Sequence, residues 1–106
     1  MNVMDLNGFD IDNVANREKI IQWVQERKPA FVIGRPYNSS VGHTRFLFGL
    51  YKLQADEGRW FAHEQLGDSM AWNMKEFSGL KRVKGVFLFE FWSWNSASGG
   101  AGFLRG

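Results

Sequence analysis

Residues 30–65 read AFVIGRPYNSSVGHTRFLFGLYKLQADEGRWFAHEQ, and this stretch decides the fold. Ala30 to Gly34 is a short, continuous apolar run between turn residues. That pattern predicts a buried strand, of the kind found in parallel sheets. Arg35-Pro36-Tyr37-Asn38-Ser39-Ser40 is a loop. From Val41 onward, Phe46, Leu47, Leu50, Leu53 and Gln54 fall at helical spacing. Gly58 stands where a glycine ends a helix. Arg59 to Glu64 then predicts a second strand. Strand, helix and strand in this order imply a right-handed crossover between parallel neighbours.

The same alternation extends outward. Upstream, Val3 to Leu6 is a strand stub and Asn7-Gly8 a turn signal. Asp12 or Asn13 can cap a helix whose apolar face holds Val14, Ile20, Trp23 and Val24. Pro29 disfavours helix in the residue before it, so this helix ends near Lys28. Downstream, Asp68 or Ser69 can cap a third helix through Leu80, with Met70, Met74 and Phe77 on one face. Val86 to Trp94, VFLFEFWSW, is the strongest strand. It is largely apolar on both faces, which predicts a central, covered position.

These elements predict an α/β fold with a parallel sheet of about three strands, as part of a Rossmann-like, doubly wound sheet. Residues 1–95 read as one partial domain. Residues 96–106, rich in Gly and Ser, read as a flexible tail.

Composition narrows the function classes. The 106 residues suffice for one domain of common size. Ten Phe and five Trp exceed what so short a chain easily hides, so some rings should form a sticky surface. A net charge of +2 is too mild for a dedicated nucleic-acid binder. There is no Cys, which excludes disulfides, thiolate metal sites and cysteine nucleophiles. No apolar run approaches the roughly 18 residues of a membrane span. The N-terminal residues lack a basic segment and carry acids, unlike a secretory signal. The expected location is intracellular, cytoplasmic or nuclear.

Several blocks resemble a known family. They are Val32-Ile33-Gly34-Arg35-Pro36-Tyr37-Asn38-Ser39-Ser40, Leu50-Tyr51-Lys52-Leu53-Gln54, Gly58-Arg59-Trp60-Phe61-Ala62-His63-Glu64-Gln65, and Ala71-Trp72. In order and spacing they resemble a cytosine-5 DNA methyltransferase-like domain, of the divergent type associated with mobile elements. The resemblance covers roughly residues 28–92. It implies a pocket for a flipped cytosine, with Glu64 as the carboxylate that contacts the base. It implies substrate contacts from Arg35, Tyr37, Asn38 and Trp72. It also implies S-adenosylmethionine as the family's cofactor.

The departures from the family pattern are chemical. The loop after the first strand of the quoted stretch carries no Cys. Tyr37 and Asn38 stand near the nucleophile's place. A phenol with a pKa of about 10 is protonated at neutral pH, and an amide is no nucleophile. Between Ser40 and Phe46 the chain is shorter than the family pattern. No glycine-rich strand-to-helix loop precedes it. The expectation is therefore a catalytically inactive remnant retaining the target-base half, with no cofactor for the isolated chain. The alternative is a non-enzymatic nucleic-acid-binding or protein-interaction module. Its contacts would be Arg35, the basic cluster of Lys81, Arg82 and Lys84, and exposed aromatics, with Trp92 and Trp94 able to stack on bases. Expected partners are DNA, or a second chain that completes the sheet.

The remaining polar residues have simpler readings. His63 reads as a strand residue packed on a helix, pointing away from Glu64's face. His43 reads as solvated. Ser39 and Ser40 suit turn formation and capping, since no Gly-x-Ser-x-Gly elbow surrounds them. The two histidines make no ligand cluster, so no metal site is expected.

Overall fold

The computed structural model describes residues 2–36, 40–66, 70–92 and 99–105. In chain order they form β1 (Val3–Asp5), α1 (Val14–Arg27), β2 (Phe31–Gly34), α2 (Val41–Asp56), β3 (Trp60–Leu66), α3 (Lys75–Lys81), β4 (Val86–Trp92) and β5 (Gly99–Arg105). Short 3-10 turns occupy Leu6–Gly8 and Met70–Asn73. The chain is an α/β protein. Its strands β1, β2 and β3 are parallel and alternate with helices, a partial Rossmann-like arrangement.

The local signals act as the sequence predicts in the first two units. Asn13 caps α1 by accepting from the Ala15 N–H at 2.9 Å. The helix stops at Lys28, which adopts φ 45°, immediately before Pro29. Ser40 caps α2, and Gly58 leaves it with φ 75°. Ile20 and Val24 are buried and Trp23 is half-buried, whereas Val14, expected on the same face, is 63% exposed. It sits in the first turn, beyond the edge of the packed surface.

Two differences lie in the C-terminal half. The sheet order is β1-β2-β3-β5-β4, with β5 antiparallel to both neighbours. Most of the stretch expected to be a flexible tail is therefore a strand, at Gly99–Arg105. Its backbone pairs with β3 on one side and β4 on the other, an arrangement that needs no bulky side chains. The insertion moves β4 to the edge of the sheet. The strand expected at the centre thus leaves Phe87 62% and Leu88 58% exposed. Residues 93 and 94 of that predicted strand lie outside the described residues. The expected third helix is also divided. Met74 is extended (φ −74°, ψ 141°) between the 3-10 turn and α3. Asp68 and Ser69 lie outside the described residues.

The helices share one face of the sheet. Successive right-handed crossovers that advance in the same direction place them there. Burial alternates accordingly. Val32 and Phe61 are fully buried and Met4 packs on the same core. Their strand neighbours Val3, Phe31 and Trp60, paired in one row across β1, β2 and β3, are not part of that core. The core lies between sheet and helices, with Tyr51, Phe48, Phe61, Ile20 and Leu47 among its largest side chains. Among the described residues no helix is long and apolar enough to cross a membrane.

Candidate functional site at the carboxyl edge of the sheet

Because β1, β2 and β3 are parallel, their carboxyl ends emerge at one edge, where open α/β sheets bind ligands. After β1 the chain turns at once, held by the Asp5 carboxylate accepting from the Asn7 N–H at 2.9 Å. After β2 it leaves through Gly34, Arg35 and Pro36. Between these exits and the start of α2 lies a pocket of about 220 Å³. Leu6, Phe9, Ile11 and Leu47 supply apolar walls, and Asn7, Arg35 and His43 the polar groups. Arg35 also approaches Asp5, at 3.4 Å, with both side chains half exposed. An exposed pair of this kind contributes under about 1 kcal/mol, so the guanidinium can exchange Asp5 for a ligand.

His43 and Leu47 bring the first turns of α2 to the pocket, and the start of that helix is fixed by Ser40 and Asp12. Ser40 Oγ donates to Asp12 Oδ1 at 2.5 Å and accepts from the His43 N–H at 3.1 Å. Asp12 Oδ2 also lies 4.0 Å from His43 Nδ1. The carboxylate thus stands between the hydroxyl and the imidazole. That order anchors α2 to the loop before α1, and it leaves no base on the serine. His43 is not the solvated residue the sequence predicts, since its side chain is 15% exposed. Burial lowers its pKa below the ordinary value. Asp12 and Asp10 oppose that shift, and Arg17 adds to it. A neutral imidazole therefore faces the pocket at physiological pH.

Beneath this edge lies a buried polar chain. Tyr51 Oη and His63 Nδ1 are 2.7 Å apart, and His63 Nε2 and Gln65 Oε1 are 2.8 Å apart. The amide oxygen can only accept, so Nε2 carries the proton and Nδ1 accepts from the tyrosine hydroxyl. Burial lowers the His63 pKa to about 4. It raises that of Tyr51 well above its usual value. Both groups are neutral, and both are sealed from solvent. His63 accordingly packs on α2, as the strand alternation predicts, with Phe48 edge-on at 5.3 Å.

Gln54 plays the matching role at the opposite end of α2. Its amide donates to the carbonyls of Pro29 and Trp60, each at 3.0 Å. Its oxygen accepts from Arg59 Nε at 2.8 Å. The blocks that carry the family resemblance are thus bonded to one another. Tyr51 meets His63, and Gln54 meets Arg59 and Trp60. They fix α2 across β2 and β3.

The other sequence-derived candidates are dispersed. Glu64 is exposed on the strand beside β2, one position past the Gly34–His63 pair, and is not among the pocket's lining residues. Tyr37 and Asn38 lie outside the described residues. Trp72 is half-buried against the core, its ring edge-on to Phe77 at 5.0 Å and to His63 at 6.1 Å. Lys81, Arg82 and Lys84 are exposed, between α3 and the start of β4. β4 runs in the same direction as β3, since both are antiparallel to β5. This basic cluster therefore lies at the amino edge of the sheet, opposite the pocket.

Sequence reasoning missed the pocket's inner residues, Asn7, Phe9 and Ile11. They fall in a stretch without periodicity, and only the crossover of α1 returns them to the end of β2. Among the described residues no group of His, Asp and Glu could hold a metal ion. No protein-family model matches the chain, and neither a curated protein nor a solved structure matches it.

Proposed function

We propose that the chain is a binding domain built like the target-base half of a cytosine-5 DNA methyltransferase, without methyl-transfer activity of its own. The observation that supports this most is the pairing of β2 with β3. It brings the strand ends that carry Arg35 and Glu64 to the same carboxyl edge, where Arg35 also lines the pocket. A carboxylate and a guanidinium can together hold the polar edge of a nucleobase. The chain carries no thiol to attack it.

S-adenosylmethionine does not fit the residues present. The turn after β1 offers a single glycine, Gly8, instead of a glycine-rich cradle. The pocket, about 220 Å³, is below the roughly 300–1,000 Å³ of sites for ligands of that size. No step is therefore assigned to the cofactor.

The test has two arms. DNA incubated with the chain and methyl-labelled S-adenosylmethionine should gain no label. Titration with deoxycytidine should shift the amide NMR signals of Arg35, His43 and Glu64. Label on the DNA would refute the inactive reading. Silence at all three amides up to millimolar nucleoside would remove the base pocket.

A second reading, nucleic-acid binding without a base pocket, draws on the exposure of Lys81, Arg82 and Lys84 along one rim. Binding that weakens steeply with salt would favour it.

A further inference from the structure

Among the described residues nothing covers the face of the sheet away from the helices, and parallel strands almost always have both faces covered. Its side chains alternate with those of the core. Val3, Phe31 and Trp60 form one row, and Ile33 and Ala62 belong to the next, which continues to Phe87 on β4. Val3 is 49%, Trp60 39% and Phe87 62% exposed. The rings of Phe31 and Trp60 meet edge-on, with centroids 6.4 Å apart. Strand spacing places Phe87 about 12 Å from Trp60, so the face offers two separate aromatic platforms.

Charge is divided between the two rims. Asp5, paired with Arg35, and Glu64 stand at the carboxyl rim. Lys28, Arg82 and Lys84 are exposed at the amino rim, beside Arg105, which ends β5 and donates to the Arg59 and Lys84 carbonyls. The acids of that rim's α2 end are engaged, Asp56 by Lys52 and Glu57 by Arg59.

We propose that this face binds single-stranded DNA. Bases stack on Phe31–Trp60 and on Phe87, and the phosphates run along the amino rim past Lys28, Arg82 and Lys84. Aromatic rings on an open sheet stack bases regardless of sequence, and flanking cations hold the backbone. Among the described residues the exposed cations of the amino rim outnumber the single Arg35 of the carboxyl rim, which is paired with Asp5, and this sets the side on which the backbone lies. Duplex DNA hides its base faces and gains nothing from the rings. The inference rests on the nucleic-acid reading above and is independent of the base pocket.

The experiment is fluorescence anisotropy of a labelled 12-nucleotide DNA strand, its duplex and the same-sequence RNA at low salt, with light scattering of the free chain. The single strand should bind the monomeric chain tightest. Trp60→Ala and Phe87→Ser, both at exposed positions, should each weaken binding about tenfold or more while circular dichroism stays unchanged. The pair Lys28→Glu and Lys84→Glu should lower the salt dependence. Equal or tighter binding of duplex or RNA would overturn the assignment. Binding that depends on the cations but ignores both ring substitutions would overturn the platform and leave the nucleic-acid reading standing. No binding of any strand would remove both. A dimer that Phe87→Ser dissociates would show that the face belongs to a second copy instead.

Discussion

The hydroxyl of Tyr51 occupies the space that a side chain at Gly34 would need. A Cβ built there would lie 2.1 Å from Tyr51 Oη and 3.3 Å from Leu47 Cδ1. Gly34 pairs in register with His63, and the same hydroxyl donates to that histidine. The end of β2 is therefore bare so that α2 can reach across it to β3.

Gly34→Ala should destabilise the chain by about 2–4 kcal/mol, the sum of overpacking and a displaced buried hydrogen bond. Urea denaturation measures it. In a Tyr51→Phe background the same substitution should cost at least about 1 kcal/mol less, because the clashing oxygen is gone. Strict additivity would mean that the two residues do not compete for one space.

Acid should weaken the fold through His63. Its folded pKa of about 4 lies below the ordinary 6.5. As pH falls below 6.5 the unfolded chain takes up the proton first, so this stability is complete above 6.5 and is lost progressively down to about 4. The loss amounts to about 3 kcal/mol. His43, also lowered, contributes with the same sign. Urea midpoints at pH 7.5, 5.5 and 4.5 should show the decline, and His63→Gln should flatten most of it. A slope unchanged in that variant would place the titration elsewhere.

Ser40→Ala should cost about 1–2 kcal/mol by removing the cap of α2 and its bond to Asp12. Aspartate is ordinarily as good a cap as serine. Here Ser40→Asp should fail to restore stability, because the carboxylate would face Asp12 where the hydroxyl now donates at 2.5 Å. Thermal melts of the two variants decide the point. Full rescue by aspartate would show that the contact with Asp12 contributes nothing.

Gln54→Leu keeps the volume and removes the amide, leaving the Pro29 and Trp60 carbonyls without this donor and Arg59 Nε without this acceptor. A loss of about 2–4 kcal/mol is expected, larger than for an exposed helix position. A neutral result would mean that water replaces the amide at this junction.

The sequence by itself determined the alternation of strand and helix, and with it the class of fold. That information is local. The apolar run at Ala30–Gly34, the caps at Asn13 and Ser40, Pro29 and Gly58 each act within a turn or two of their own position. The absence of cysteine likewise excludes thiol chemistry whatever shape the chain takes. Tertiary structure decided the rest, because the deciding partners are distant in the chain. VFLFEFW reads as a central strand until Gly99–Arg105, poor in strand formers, inserts between it and β3. Lys81, Arg82 and Lys84 read as company for Arg35 until strand direction sends them to the opposite rim. His43 reads as solvated until Phe9 and Ile11 return to its side. The resemblance blocks read as separate patterns along the chain, and only the fold bonds Tyr51 to His63 and Gln54 to Arg59 and Trp60. Helix packing across two strands selects those residues, and no local propensity encodes it.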